Sequence, residues 1–143
     1  MSLSGISPKK RRPIIRVELL IVSSRLETKR ALLQILDCLP LNVYCVGTVE
    51  QAVDALEKHG IDVVLSDEHL SDGTYHDILA LTIDRLPKTQ FIVLLTNGGF
   101  AEHREAMQLG VMEVVRSPLQ PTDIELALIH AMRNLPGAAH AVA

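Results

Sequence analysis

Asp62-Val63-Val64-Leu65-Ser66-Asp67-Glu68-His69-Leu70-Ser71-Asp72-Gly73-Thr74-Tyr75 decides how the chain is read. A short apolar run, Val63-Val64-Leu65, stops at Asp67, and Ser71-Asp72-Gly73 follows with turn-forming residues. The run has the length and β-branched character of a buried strand, and the turn residues release the chain into a loop after it. In an open parallel α/β sheet, ligands and chemistry collect at the carboxyl ends of the strands, so a carboxylate placed there is a candidate nucleophile or metal ligand. Asp is also a common turn former and helix cap. The flanking segments decide between these readings.

Upstream, Ile14–Val22 (IIRVELLIV) is nearly continuous in apolar character, as expected of a central parallel strand covered on both faces, and it ends at Ser23-Ser24. Ser24 stands three before Glu27, a capping-box spacing, and Leu26, Leu32, Leu33, Ile35, Leu36 and Leu39 then recur on a helical period until Pro40. Asn42–Val46 reads as a second, shorter strand. Thr48 and Gln51 stand at capping-box spacing before a helix with Val49, Ala52, Val53 and Leu56 on its apolar face, and Gly60 stops it.

Downstream, a helix is expected from about Tyr75 to Leu86, closed by Pro87. Phe91–Leu95 (FIVLL) is a fourth strand that ends at Thr96 and is loosened by Asn97-Gly98-Gly99. Helical spacing runs from about Ala101 to Leu109 and ends at Gly110. Val111–Arg116 is a fifth strand that meets Ser117-Pro118, and a last helix runs from about Pro121 to Asn134, with Pro121 suited to its first turn.

Five strands alternating with five helices imply an α/β fold: a parallel sheet covered on both faces and joined by right-handed crossovers. The expected architecture is a flavodoxin-like three-layer sandwich with strand order 2-1-3-4-5. That order gathers the ends of strands one, three, four and five around the switch point. The site candidates are therefore Ser23, Ser24, Asp67, Thr96 and Ser117.

Composition narrows the function classes. The 143 residues suit one domain, expected over 14–135, between a basic tail (1–13) and a C-terminal tail or linker start (136–143). No apolar run approaches the ~18 residues needed to span a bilayer, and Lys9-Lys10-Arg11-Arg12 is followed by Pro13 rather than by an apolar signal helix, so a cytoplasmic protein is expected. The net charge is −3, and the four cations of residues 1–13 leave −7 on residues 14–143. An acidic domain with 3% aromatics and no Trp is poorly equipped to bind nucleic acid. Cys38 and Cys45 are expected as reduced thiols packed as small apolar residues.

Over about Arg16 to Leu135 the pattern resembles the receiver domains of two-component response regulators. The resemblance rests on VVLSDEHLSDG, IVLLT and GVMEVVRSPL, which are similar to the family's phosphoacceptor strand, its switch-hydroxyl strand and its last strand. It implies the phosphoacceptor position at Asp67, the switch hydroxyl at Thr96 and a cis peptide before Pro118. Departures accompany it. The acidic pair that holds magnesium in the family is Ser23-Ser24 here, and the lysine before the proline is Ser117. The family's proline four residues after the phosphoacceptor is Ser71, the glycine further on is Tyr75, and the aromatic switch residue is Val114.

Moving a phosphoryl group onto a carboxylate brings two anions together, so charge neutralisation supplies much of the catalysis. Magnesium is usually held by one or two carboxylates, with waters and phosphate oxygens. With Asp67 and the backbone of His69 as the remaining donors, magnesium is expected to bind weakly. Glu68 is a poorly aimed substitute, and Arg116 lies on the wrong strand face to replace the lysine. The expected function is an atypical signalling receiver controlled by binding, not an enzyme beyond self-phosphorylation on Asp67. A conventional receiver phosphorylated by a histidine kinase is the alternative. Flavin binding is disfavoured because SSRLETK has no Gly for a phosphate loop. A transition-metal cluster of Glu68, His69, Asp72, His76 and Asp77 is the other remote reading, and His103 and His130 have no assigned role. The resemblance also implies a signalling-protein partner and a homodimer through the fourth helix, fifth strand and last helix, in the segment 100–132.

Overall fold

Leu19, Leu20, Ile21 and Val22 are all inaccessible to solvent, although successive residues of a strand face opposite ways, so the sheet is covered on both sides. The computed structural model describes residues 16–37, 39–96 and 99–135. The expected tails, Cys38 and the Asn97-Gly98 part of the loop after Leu95 lie outside these residues. In chain order the elements are β1 (Val17–Val22), α1 (Leu26–Leu36), β2 (Leu41–Val46), α2 (Val49–Lys58), β3 (Val63–Asp67), β4 (His69–Leu70), β5 (Gly73–Thr74), α3 (Tyr75–Arg85), β6 (Gln90–Leu95), α4 (Phe100–Leu109), β7 (Glu113–Arg116) and α5 (Pro121–Arg133).

The main sheet has the order β2-β1-β3-β6-β7 and is parallel throughout, which is the 2-1-3-4-5 arrangement expected from the sequence. Strand alternation divides the core in two. Leu20, Val22, Val64, Phe91, Val93 and Leu95 pack against α2, α3 and α4, while Leu19, Ile21, Val63, Leu65, Ile92, Leu94 and Val115 pack against α1 and α5. Each fully buried aliphatic of this kind contributes roughly 1.5–3 kcal/mol, so most of the fold's cohesion comes from the two faces of β1, β3 and β6.

Several local readings change. α1 starts from Arg25 with no side-chain cap, and Ser24 is exposed, so the expected Ser24–Glu27 capping box does not form. The Oγ of Ser23 accepts the Arg25 N–H at 3.1 Å instead. At α2 the Thr48 hydroxyl does accept the Gln51 N–H at 3.0 Å. The stretch after Asp67, expected as a plain loop, is a two-stranded antiparallel hairpin, β4 with β5. A Cβ at Gly73 would collide with the Asp77 carboxylate, which caps α3 by accepting the Thr74 N–H at 3.2 Å. β7 begins at Glu113 rather than Val111, because the Val111 N–H is still spent on the Ala106 carbonyl at the end of α4. There Gly110 takes φ 111°, a left-handed conformation that favours glycine. Cys45 is exposed rather than packed, since it lies on β2, the edge of the sheet.

Candidate functional site at the carboxyl end of the sheet

Asp67 is the last residue of β3, and its side chain follows Val63 and Leu65 onto the α1–α5 side by strand alternation. The same alternation carries Ser23 after Leu19 and Ile21, Thr96 after Ile92 and Leu94, and Ser117 after Val115. Four strand ends therefore direct these residues to one face of the sheet. Backbone bonds extend the ladder past the strand ends: Ser23 N–H donates to Val46 at 3.0 Å and Ser117 N–H to Leu95 at 2.9 Å. The Ser117–Pro118 peptide is cis. Ser117 and Pro118 are exposed, and Thr96 is half-buried.

Asp67 itself is 4% exposed. Its Oδ2 accepts the Ser23 hydroxyl at 2.6 Å, and its Oδ1 is buried with no hydrogen-bond partner. Ser23 Oγ also lies 3.4 Å from the Arg25 carbonyl, but its single proton goes to the much shorter carboxylate contact. Burial pushes the Asp67 carboxyl above the ordinary carboxylate range, and the Ser23 bond and the positive charges of Arg25 and Lys29 offset this only in part.

These residues fit a magnesium site poorly. The metal asks for an octahedron of oxygens with one or two carboxylates. Here one Asp67 oxygen is already taken by Ser23, Ser24 is exposed, and the Glu68 carboxylate faces His69 at 3.6 Å. Among the described residues no group of three or more His, Cys, Asp or Glu side chains is assembled to hold a metal ion. The members of the remote transition-metal reading serve other contacts. Asp72 accepts the N–H groups of Val49 at 2.8 Å and Glu50 at 3.1 Å, Asp77 caps α3, and the His76 ring stacks on Tyr75 and lies 3.0 Å from the Thr74 hydroxyl. Arg116 turns toward α4, with its Nη2 3.1 Å from His103 Nδ1, and His130 lies 3.5 Å from Glu113.

Two features escaped the sequence. Arg25 and Lys29 act on Asp67 only because α1 starts directly after β1, and nothing in their spacing marks them until that helix is placed. The cap that Asp72 provides to α2 joins residues 22 or more apart and has no local signature. A surface cleft of about 610 Å³ runs along β2 and α2 past Tyr44, Cys45, Glu50 and His59, but none of Ser23, Asp67, Thr96 or Ser117 lines it.

Comparison with known proteins points one way. No family model matches the chain. The regulatory protein LuxO of Vibrio cholerae is 23% identical over 96 residues, which are 67% of this chain and 21% of that protein, so the match spans about a fifth of its length. The signal receiver domain of an HD domain-containing protein from Pseudomonas fluorescens is 26% identical with a TM-score of 0.77, covering 83% of this chain and 96% of that one. A signal receiver domain from Vibrio parahaemolyticus superposes with a TM-score of 0.79 at 18% identity, covering 84% and 93%. The parallel sheet in the order expected of a receiver, together with these likenesses in sequence and structure, gives the chain the flavodoxin-like fold of response-regulator receiver domains.

Proposed function

We propose that this receiver domain is atypical: Asp67 occupies the phosphoacceptor position and Thr96 that of the switch hydroxyl, but the domain changes state by binding a signalling protein rather than by magnesium-dependent phosphorylation. The observation that carries this reading is the 2.6 Å bond from Ser23 to Asp67 Oδ2, which places a neutral hydroxyl where the family resemblance puts a magnesium-holding acid. Phosphoryl transfer between anions depends on charge neutralisation, and a hydroxyl supplies little of it. On this reading Ser117 contributes no cation, Pro118 shapes the loop into α5, and the domain is a binding module rather than an enzyme.

A second reading is favoured by one feature, the unpartnered Oδ1 of Asp67. A free carboxylate oxygen at a strand end suits a conventional receiver that takes a phosphoryl group from a histidine kinase. Intact-mass measurement after incubation with acetyl phosphate and magnesium separates the two. The binding-controlled reading expects no mass gain. A gain of one phosphoryl group that is acid-stable, base-labile and lost in Asp67→Asn would establish the conventional one.

A further inference from the structure

β2 is an edge strand, paired with β1 on one side and with no described strand on the other. On the β1 side the Pro40 and Val46 carbonyls accept the N–H groups of Val17 at 3.2 Å and Ser23 at 3.0 Å. Backbone groups alternate sides along a strand, so the even-numbered residues of β2 face β1, and the N–H and C=O groups of Val43 and Cys45 point outward from the sheet. An open edge of this kind is a template for a further strand. The cleft of about 610 Å³ runs beside it, and its α2 wall carries the Glu50 and Asp54 carboxylates. Tyr44 also lines the cleft, its ring stacked on His59 with centroids 4.3 Å apart, and its hydroxyl donates to the half-buried Glu18 carboxylate at 2.9 Å. Three carboxylates thus gather on the α2 side of the edge. Among the described residues the one cation paired with them is Lys58, 3.1 Å from Asp54.

We infer that this edge takes the chain's own basic segment, Lys9-Lys10-Arg11-Arg12, as an added strand antiparallel to β2. The segment lies outside the described residues, and its composition and its tether to β1 support the assignment. Val17 stands opposite Leu41 in the parallel register, so β1 and β2 begin at the same end of the sheet. A segment that precedes β1 and folds back along β2 therefore runs antiparallel to it. Reaching the outer side of β2 from β1 means crossing two strand spacings, about 10 Å. Residues 13–16 span about 13 Å when extended, which is enough. Pro8 and Pro13 bound the run, and because proline has no N–H to give to a ladder, they confine the donors to the four residues between them. Alternation puts two of the four cations on the α2 side in any register, facing the carboxylates. Residues 1–13 hold four cations and no acid, so charge favours this segment over a second copy of the chain, whose own β2 edge would set like carboxylates against one another. The tether favours it over a free peptide, because it holds the local concentration on the order of millimolar. None of Ser23, Asp67, Thr96 and Ser117 lines the cleft, so the pairing holds under either reading of the function.

Amide hydrogen exchange of the full chain tests this, with Tyr44, whose N–H faces β1, as the internal control. In the native chain the Val43 and Cys45 amides are expected to exchange about tenfold slower than in a variant combining Lys9→Gln, Lys10→Gln, Arg11→Gln and Arg12→Gln, and the Tyr44 amide to exchange equally in both. Glu50→Gln combined with Asp54→Asn is expected to speed the same two amides, and high salt to do so in the native chain but not in the combined Gln variant. Equal exchange of Val43 and Cys45 in the native chain and the combined Gln variant overturns the inference. So does protection that survives the Gln substitutions and disappears on dilution, which would assign the edge to a second copy. A second measurement does not depend on the stability of any variant. Nuclear Overhauser contacts between backbone protons of residues 9–12 and those of Val43 or Cys45 are expected in the native chain, and their absence overturns the inference whatever the exchange rates.

Discussion

At Asp67 two effects oppose each other: burial disfavours the carboxylate, while the Ser23 hydroxyl and the charges of Arg25 and Lys29 favour it, and burial wins. A carboxyl group whose folded-state pKa lies above its unfolded value binds protons more tightly in the folded chain. Stability therefore falls as pH rises from the unfolded value through the folded one, and the ionised carboxylate is a standing cost at neutral pH. Asp67→Asn is expected to raise Tm at pH 7 by an amount corresponding to about 1 kcal/mol, or roughly 4 °C in a domain of this size. The gain should shrink as the pH is lowered through the ordinary carboxylate range, below which Asp67 is protonated in both states. Thermal melts of both proteins across that interval check it, and a loss of stability in Asp67→Asn at pH 7 would count against the electrostatic account. At this scale the sequence was legible as position only. Asp67 at a strand end could be read from VVLSD followed by turn residues, but its partners came from Ser23, 44 residues away.

The hairpin of β4 and β5 shows the same division for elements. Gly73 and Asp72 are visible as turn formers, yet the structure makes the turn a fastening: the Asp72 carboxylate accepts the first N–H groups of α2, where the helix dipole favours a negative charge. Those bonds hold the Asp72 carboxyl below its usual range. The sign is opposite to that of Asp67. Stability from Asp72 is complete above the unfolded carboxylate value and is lost as pH falls through the depressed folded value. Asp72→Ala is expected to lower Tm by a few degrees at pH 7 and by much less near pH 2. Asp72→Asn, which keeps one acceptor, should lose less. Amide hydrogen exchange gives a local check, because the Val49 and Glu50 amides should exchange faster in Asp72→Ala while the core of β3 is unchanged.

Over the whole molecule, the apolar side chains left at the surface are the guide to partners. Phe100, at the start of α4, is 81% exposed, and Met107, Leu109, Leu126 and Ile129 are also exposed on α4 and α5. These lie in the segment expected to bind a partner, although Leu26, Leu33 and Ile83 show that α1 and α3 expose apolar residues too. A lone surface hydrophobic is ordinary, whereas several on the two helices that flank the edge strand β7 from opposite faces of the sheet make that edge a candidate interaction surface. The receiver resemblance implies a homodimer through α4, β7 and α5, and light scattering tests it. Light scattering should show a concentration-dependent dimer that Phe100→Asp weakens at least tenfold, and a monomer at high concentration would rule that assembly out.

By itself, the sequence determined the alternation of strands and helices, the parallel sheet and the strand ends that carry Ser23, Asp67, Thr96 and Ser117, because apolar periodicity and turn chemistry are local properties of the chain. Tertiary structure decided what those residues meet. Ser23 answers one oxygen of Asp67, and Asp72 leaves the site to cap α2. Each of these contacts joins segments distant in sequence, so its partner is set by how the helices pack on the sheet rather than by any spacing along the chain.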